Sequence, residues 1–517
     1  MAEKPTGEHV EDNIESSKEF MEEIAKHETV NGDIGMNIFE DFHDLAATID
    51  PKVEARLVRK IDMYIIPFIC VTYLITYIDK ATLSYAAIFG LNKDVGLHGT
   101  QYSWLGSIFY FGYMFFEYPT SYAMQRWSVA KWLSINVFIW GGVCMALGGC
   151  NNFEALAALR FVLGMLESCS TPAYLLLTSM WYKVEEQPIR IGYWSTFLGL
   201  ANSFGGLLAY GIGNIKNGAL DAWRYQFIIV GAVSAAWGLF MFFFLAESPV
   251  SATWLSKSEK KMAVERLRGN QTGVKNITFK TYQLVEALTD PKTWFLFLFG
   301  VSTQVVNGAV SNFGSLIIKG FGYSSLVTTL LQIPYGAIII VAVLSAMYLQ
   351  RWLPGQKRCV VAGLYVLPAL AGVAGLTALP TTNRHARLAC YYLTALYTAS
   401  FAMCMSLVTA NVGGSTKRTT VNALFFISYC AGNIIGPFAF KSNEAPTYRS
   451  GIIAILVGYC VEIVILVLFA AYLAWCNKKK EQHLVDTGKV NASYEEQVVT
   501  AFRDLTDIEN PFFRYTY

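Results

Sequence analysis

The chain of 517 residues is short of charge: Asp, Glu, Lys and Arg make up only 15% of it, where a soluble domain carries about 25%. Most of its length therefore cannot be the surface of a water-exposed globule. Histidine is scarcer still. The six are His9, His27, His43, His98, His385 and His483, all in segments that read as tails or loops. A proton relay inside an apolar segment must then use Asp or Glu. The ten cysteines (Cys70, Cys144, Cys150, Cys169, Cys359, Cys390, Cys404, Cys430, Cys460 and Cys476) form no Cys-x-x-Cys pair. That removes the usual zinc and redox-dithiol signatures and leaves small packing residues. No Ser-His, metal-ligand or nucleotide motif appears, so no enzyme, cofactor or metal is expected. A net charge of +2 gives no basis for a nucleic-acid partner. The first fifty residues are acidic and polar, unlike a cleavable signal peptide, and read as a disordered tail.

What is abundant is apolar sequence, 54% of the chain. About 20 apolar residues span a bilayer as a helix, and twelve such stretches are predicted. Six fall at 63–87, 102–124, 131–150, 154–181, 190–214 and 224–246. Six more fall at 293–317, 325–349, 358–379, 388–411, 418–440 and 451–476. The expected fold is an all-α membrane protein of two six-helix bundles. Its predicted parts are an acidic tail (1–60), a first bundle (61–246), a central loop (247–290), a second bundle (291–476) and a final tail (477–517). The central loop is basic, with Lys257, Lys260, Lys261, Arg266 and Arg268, and a short amphipathic helix is predicted over 257–268. Gln125-Arg126-Trp127 after the second stretch recurs as Gln350-Arg351-Trp352 after the eighth. That recurrence points to a duplicated unit, the layout of paired-repeat transporters.

Short loops do not settle orientation, because both sides carry basic residues. The flanks do: Arg56, Arg59 and Lys60 precede the first stretch, Lys478 to Lys480 follow the last, and both lie on the side of the basic central loop. By the positive-inside tendency both termini are expected in the cytoplasm. The three Asn-x-Ser/Thr sequons, at Asn270, Asn276 and Asn491, then face the cytoplasm and are expected to stay unglycosylated.

Charge inside a membrane is costly and marks function or a partner. Here the set is Asp79 and Lys80, Glu117, Arg160 and Glu167, and Glu462. Arg160 and Glu167 are two helical turns apart and share a face. If the first and fourth helices meet, an acid–base cluster forms in the first half. It reads either as a fixed salt-bridge lock or as a proton site, since a carboxylate in a dry pocket takes up a proton more readily and a nearby cation opposes this. The second half offers amides: Gln304, Asn307 and Asn312, then Asn422 and Asn433, the last two on one helical face. These bind a polar solute without titrating or tie helices together. Glu462 reads as structural.

Several motifs resemble the major facilitator superfamily, and within it the anion:cation symporters. They are Tyr77-Ile78-Asp79-Lys80, Leu159-Arg160-Phe161 through Gly164-Met165-Leu166-Glu167, and Asn411-Val412-Gly413-Gly414-Ser415-Thr416-Lys417-Arg418 through Gly436-Pro437. The last is similar to the fungal allantoate permease branch, as are Glu247-Ser248-Pro249 and Leu331-Gln332-Ile333-Pro334-Tyr335-Gly336. The resemblance implies a major facilitator fold that moves a small organic anion with protons by alternating access. It gives Asp79 and Glu167 the proton role. Lys80, where an Arg is usual, and Arg160 receive the anion role, with Asn307, Asn312, Asn422 and Asn433 reading the rest of the solute. In the loop after the second helix, Ser121 and Gln125 stand where Gly and Asp are usual, so Glu117 is expected to join Arg126 in gating. The resemblance further implies a monomer in the plasma membrane. Export of an acidic metabolite, or a non-transporting nutrient sensor, are the alternatives.

Overall fold

In lipid every backbone N–H and C=O must be paired within the chain, which leaves helices as the only spanning form for sequence of this pattern. The computed structural model describes residues 51–183, 185–215, 218–268, 280–353, 357–487 and 505–517, and they are helical throughout their apolar stretches. In the first half the helices are α1 (Pro51–Ile88), α2 (Gln101–Arg126), α3 (Val129–Leu147), α4 (Phe153–Glu167), α5 (Ser170–Trp181), α6 (Gln187–Ser195), α7 (Phe197–Gly213) and α8 (Ala222–Phe244). Between the halves lie α9 (Lys257–Arg268) and α10 (Thr281–Thr289). The second half holds α11 (Pro291–Gly320), α12 (Ser325–Leu330), α13 (Gln332–Trp352), α14 (Arg358–Ala378), α15 (Arg384–Thr394), α16 (Tyr397–Asn411), α17 (Ser415–Ile435) and α18 (Arg449–Asp486).

Four spans that read as single helices are broken in two: α4–α5, α6–α7, α12–α13 and α15–α16. Among the described residues, ten spans are long and apolar enough to cross a membrane by themselves. The other two crossings are α2, thinned in hydropathy by its polar and aromatic residues, and the pair α6–α7, whose longer piece has only 17 residues. Twelve crossings put the start of α1 and the end of α18 on one face, called here the tail face; the opposite one is the far face. Residues 51–60, expected in the disordered tail, form the first turns of α1, and 477–486 continue α18. Both helices have 38 residues, about 57 Å at 1.5 Å per residue, so they stand out well beyond the hydrocarbon layer. The sequons at Asn270, Asn276 and Asn491 lie outside the described residues.

Small residues set the helix crossings. A Cβ on Gly164 of α4 would sit 1.9 Å from the Phe109 carbonyl oxygen of α2, and one on Gly112 would sit 2.1 Å from the Phe161 carbonyl oxygen. The two backbones therefore touch. Across the halves, Gly199 of α7 meets the Gly336 backbone of α13 in the same way.

Hydrogen bonds join the two halves toward the far face. The hydroxyls of Tyr102, Ser103 and Ser107 in α2 donate to the backbone carbonyls of Asn312, Pro437 and Ile434, at 2.8, 2.9 and 2.8 Å. Ser203 donates to the Ile333 carbonyl at 3.0 Å. Ser325 and Lys319 both donate to the Ile88 carbonyl, at 2.9 and 2.8 Å. The far face is closed by these contacts.

Candidate functional site

Glu167, at the end of α4, reaches Lys80 of α1, Nζ to Oε1 2.7 Å. The Glu167 side chain is wholly buried and that of Lys80 is 11% exposed. Glu167 Oε2 has no hydrogen-bond partner among the described residues. Aromatic rings surround the ammonium: Tyr77 at 4.9 Å, Tyr113 at 5.6 Å and Phe109 at 5.7 Å to the ring centres. Contacts of this kind favour a cation at the ring face and keep water away from it.

Arg160 lies on the same face of α4, toward the far side. Its Nε donates to the Leu105 carbonyl at 3.1 Å and its guanidinium stands over Phe109, 5.0 Å from the ring centre. Its Nη1 is buried without a hydrogen-bond partner among the described residues. A buried donor without an acceptor is costly, and an anionic oxygen would satisfy it.

Asp79 is within electrostatic reach of Arg160 and Lys80, but its hydrogen bonds go elsewhere. Its carboxylate accepts from the indole of Trp140 at 2.9 Å and from the Cys144 thiol at 3.0 Å, both on α3. Adjacent residues on a helix point about 100° apart, so Asp79 and Lys80 take different hydrogen-bond partners. The expected four-residue cluster is a Lys80–Glu167 ion pair with Arg160 above it and Asp79 beside it, bonded to α3.

In the second half the amides tie to one another. Tyr397 donates to Asn307 Oδ1 at 2.8 Å, Asn307 Nδ2 to Asn433 Oδ1 at 2.9 Å, and Asn433 Nδ2 to Gln304 Oε1 at 2.9 Å. Asn307 is half-buried and Asn433 fully buried. Asn312 does not join them. It donates to the Gly308 carbonyl at 2.8 Å, and its own carbonyl takes the Tyr102 bond in the far-face closure. Asn422 is exposed, on the tail-face part of α17, and makes no bond to the Asn433 group among the described residues. The two expected gating residues, Glu117 and Arg126, form no ion pair with each other among the described residues. Glu117 is half-buried, while Arg126 is exposed and stacks on Tyr122, 5.3 Å from the ring centre. Glu462 is wholly buried and accepts from Ser400.

The residues that sequence reasoning passed over are aromatic. Tyr110 meets Tyr429 at 6.0 Å and Tyr113 meets Phe426 at 5.4 Å between ring centres. These contacts join α2 to α17 beside the Lys80–Glu167 pair and connect the charged group of one half to the amides of the other. With 29 Tyr and 34 Phe in the chain, nothing in the sequence singles these out.

A chain with twelve crossings, two packed halves and a buried charged pair in the first of them has the architecture of a secondary transporter. Residues 69–437 match the family profile of the Major Facilitator Superfamily. Two relatives from Saccharomyces cerevisiae are similar over nearly the whole length. An allantoate permease is 34% identical over 495 residues, 94% of this chain and 90% of the permease. A thiamine pathway transporter is 35% identical over 471 residues, 90% of this chain and 87% of that protein. Among solved structures, a bacterial homologue of the human lysosomal transporter Spinster, inward-facing and unoccupied, superposes with a TM-score of 0.61 at 18% identity. It covers 79% of this chain and 95% of its own. A D-xylose–proton symporter gives 0.59 at 14% identity, covering 78% and 96%. The chain belongs to the Major Facilitator Superfamily. It is an integral membrane protein and a transporter, not an enzyme.

Proposed function

We propose that the protein is a proton-coupled symporter that takes up a small organic anion of the allantoate, ureido acid, vitamin carboxylate or dipeptide class. The contact between Lys80 and Glu167 carries this reading. A lysine in apolar surroundings needs an anion, and here Glu167 supplies it. An incoming substrate carboxylate competes for the same ammonium. Once it binds, Glu167 loses its counter-charge, and a carboxylate so buried takes up a proton. Substrate and proton then travel together, because each removes the penalty the other leaves.

Arg160 provides the second contact to the carboxylate through its free Nη1. The Asn307–Asn433–Gln304 amides, opposite the charges, select the polar remainder of the solute. Asp79 holds α1 against α3 through Trp140 and Cys144 and stands in reserve as a second acid. The similarity to an allantoate permease supports a nitrogen-rich carboxylate. The basic residues flanking α1 and α18 support cytoplasmic termini, and the yeast relatives support a plasma-membrane location. A single chain completes the site, which fits a monomer.

The test uses purified protein in liposomes with an imposed proton gradient and a panel of labelled carboxylates. Glu167→Gln is expected to abolish gradient-driven accumulation while exchange of internal for external solute continues. Full accumulation by Glu167→Gln would show that the proton is carried elsewhere.

A further inference from the structure

The Asn411–Arg418 motif has no part in the transport site, and the structure gives it another. Residues 505–517 return to the tail face of the second half and pack on it. The Asp507 side chain is fully buried. It pairs with Lys417 Nζ at 2.8 Å and with Lys292 Nζ. It also accepts from the Gly413 backbone N–H at 3.2 Å and from the Tyr515 hydroxyl at 2.9 Å. Gly413 has to be glycine for this, since a Cβ there would lie 2.6 Å from the Asp507 nitrogen. Asn411 bonds the Thr516 backbone in both directions, at 3.0 and 2.8 Å, and Asn477 does the same with Tyr515, at 2.8 and 2.9 Å.

The first half carries the counterpart with the charges inverted. Arg266 of α9, in the segment that follows the sixth crossing, is buried. It reaches Glu186 at 2.6 Å, Glu54 at 3.3 Å and the Trp181 carbonyl at 3.3 Å. Glu54 opens the first crossing as Lys292 opens the seventh. Glu186 lies between the fourth and fifth crossings as Gly413 lies between the tenth and eleventh. Each half is thus capped by the stretch of chain that comes after it, through one buried charge at matching positions.

We infer that the tail face of the second half is a peptide-binding site for the chain's own residues 505–517, with Lys292 and Lys417 as the receptor for the Asp507 carboxylate. Charge balance supports it. Lys292 and Lys417 face Asp290, at 3.2 and 2.7 Å, and Asp507; Lys417 also meets the partly exposed Glu286 at 2.8 Å, and the half-buried Lys480 donates to the Asp507 and Asn510 backbone carbonyls. The group thus holds three cations and three anions, and without the peptide three cations face two anions. An unpaired buried charge is strongly unfavourable. Burial works against the Asp507 charge, but Lys292 and Lys417 outweigh it and hold this carboxyl below its ordinary range. A lowered acid contributes to docking above its free value, near pH 4, and that contribution fades as pH falls below it.

The inference goes beyond the transport reading and is tested without a substrate. The chain ended after residue 504 is purified in lipid nanodiscs and titrated with a fluorescent peptide of residues 505–517. Saturable binding is expected, weakened about tenfold or more when the peptide carries Asp507→Lys, the scale of a lost buried charge contact. No binding, or equal binding of the two peptides, by a truncated chain that retains its helical circular dichroism would overturn the inference. Should the truncated chain not fold, full-length Asp507→Asn is compared with the parent by backbone hydrogen exchange over residues 411–417. Exchange about tenfold faster is expected, and unchanged exchange would sink the idea.

Discussion

The two halves share a plan and differ in what they bury. The first half puts Asp79, Lys80, Arg160 and Glu167 inside the membrane; the second puts Gln304, Asn307 and Asn433 at the facing positions. Charges cannot be left alone in lipid, so in the proposed mechanism the first half has a partner to exchange: Glu167, a substrate anion or a proton. Amides bond to one another, so in the same mechanism the second half holds or releases a solute without changing charge. On that proposal the two halves divide the labour, with driving force on one side and recognition on the other.

The largest effect should come from breaking the charged side. Lys80→Met strands Glu167 without its cation, at a cost of about 3–5 kcal/mol for a buried unpaired charge. Uptake in liposomes is expected to fall about a hundredfold or more, and a loss below threefold would mean that the pair is not at the site. A middle-sized effect should follow from disturbing the support under those charges. Gly164→Val forces a side chain into the 1.9 Å gap at the Phe109 carbonyl, and overpacking of this kind costs about 1–3 kcal/mol. Thermal unfolding in detergent should move down by several degrees; an unshifted melting curve would show that the α2–α4 contact is looser than drawn. The smallest effect should come from the amide side. Asn433→Ala removes its bonds to Asn307 and Gln304, each worth about 1 kcal/mol. The half-saturating substrate concentration is expected to rise about fivefold with the maximal rate little changed. A collapse in rate instead would erase the contrast between the halves.

Much of this was legible in the sequence. Runs of apolar residues need only counting, and the crossings fall where the runs do. Lys80 and Glu167 were readable because charge inside such runs is rare. Arg160 was readable from its heptad spacing to Glu167. What the sequence does not show for Asp79 is its partners, the Trp140 indole and the Cys144 thiol of α3. Asn422 and Asn433 do share a helical face, but face alone does not fix depth, and Asn422 ends near the tail side in the open. The Asp507 site could not be foreseen. It joins residues more than two hundred positions apart, and only the folded chain brings Lys292, Lys417 and the last residues together.

The seal on the far face has a chemical character of its own. It is made largely of hydroxyl groups of Tyr102, Ser103, Ser107, Ser203 and Ser325 resting on main-chain carbonyls. Water can replace each such bond on both sides, donor for donor and acceptor for acceptor. The same seal also holds the Lys319 ammonium on the Ile88 carbonyl and the ring contacts Tyr102–Phe313 and Trp104–Phe438, both at 5.1 Å between centres. The far-face latch is thus made largely of bonds that incoming solvent can take over one for one as the halves part.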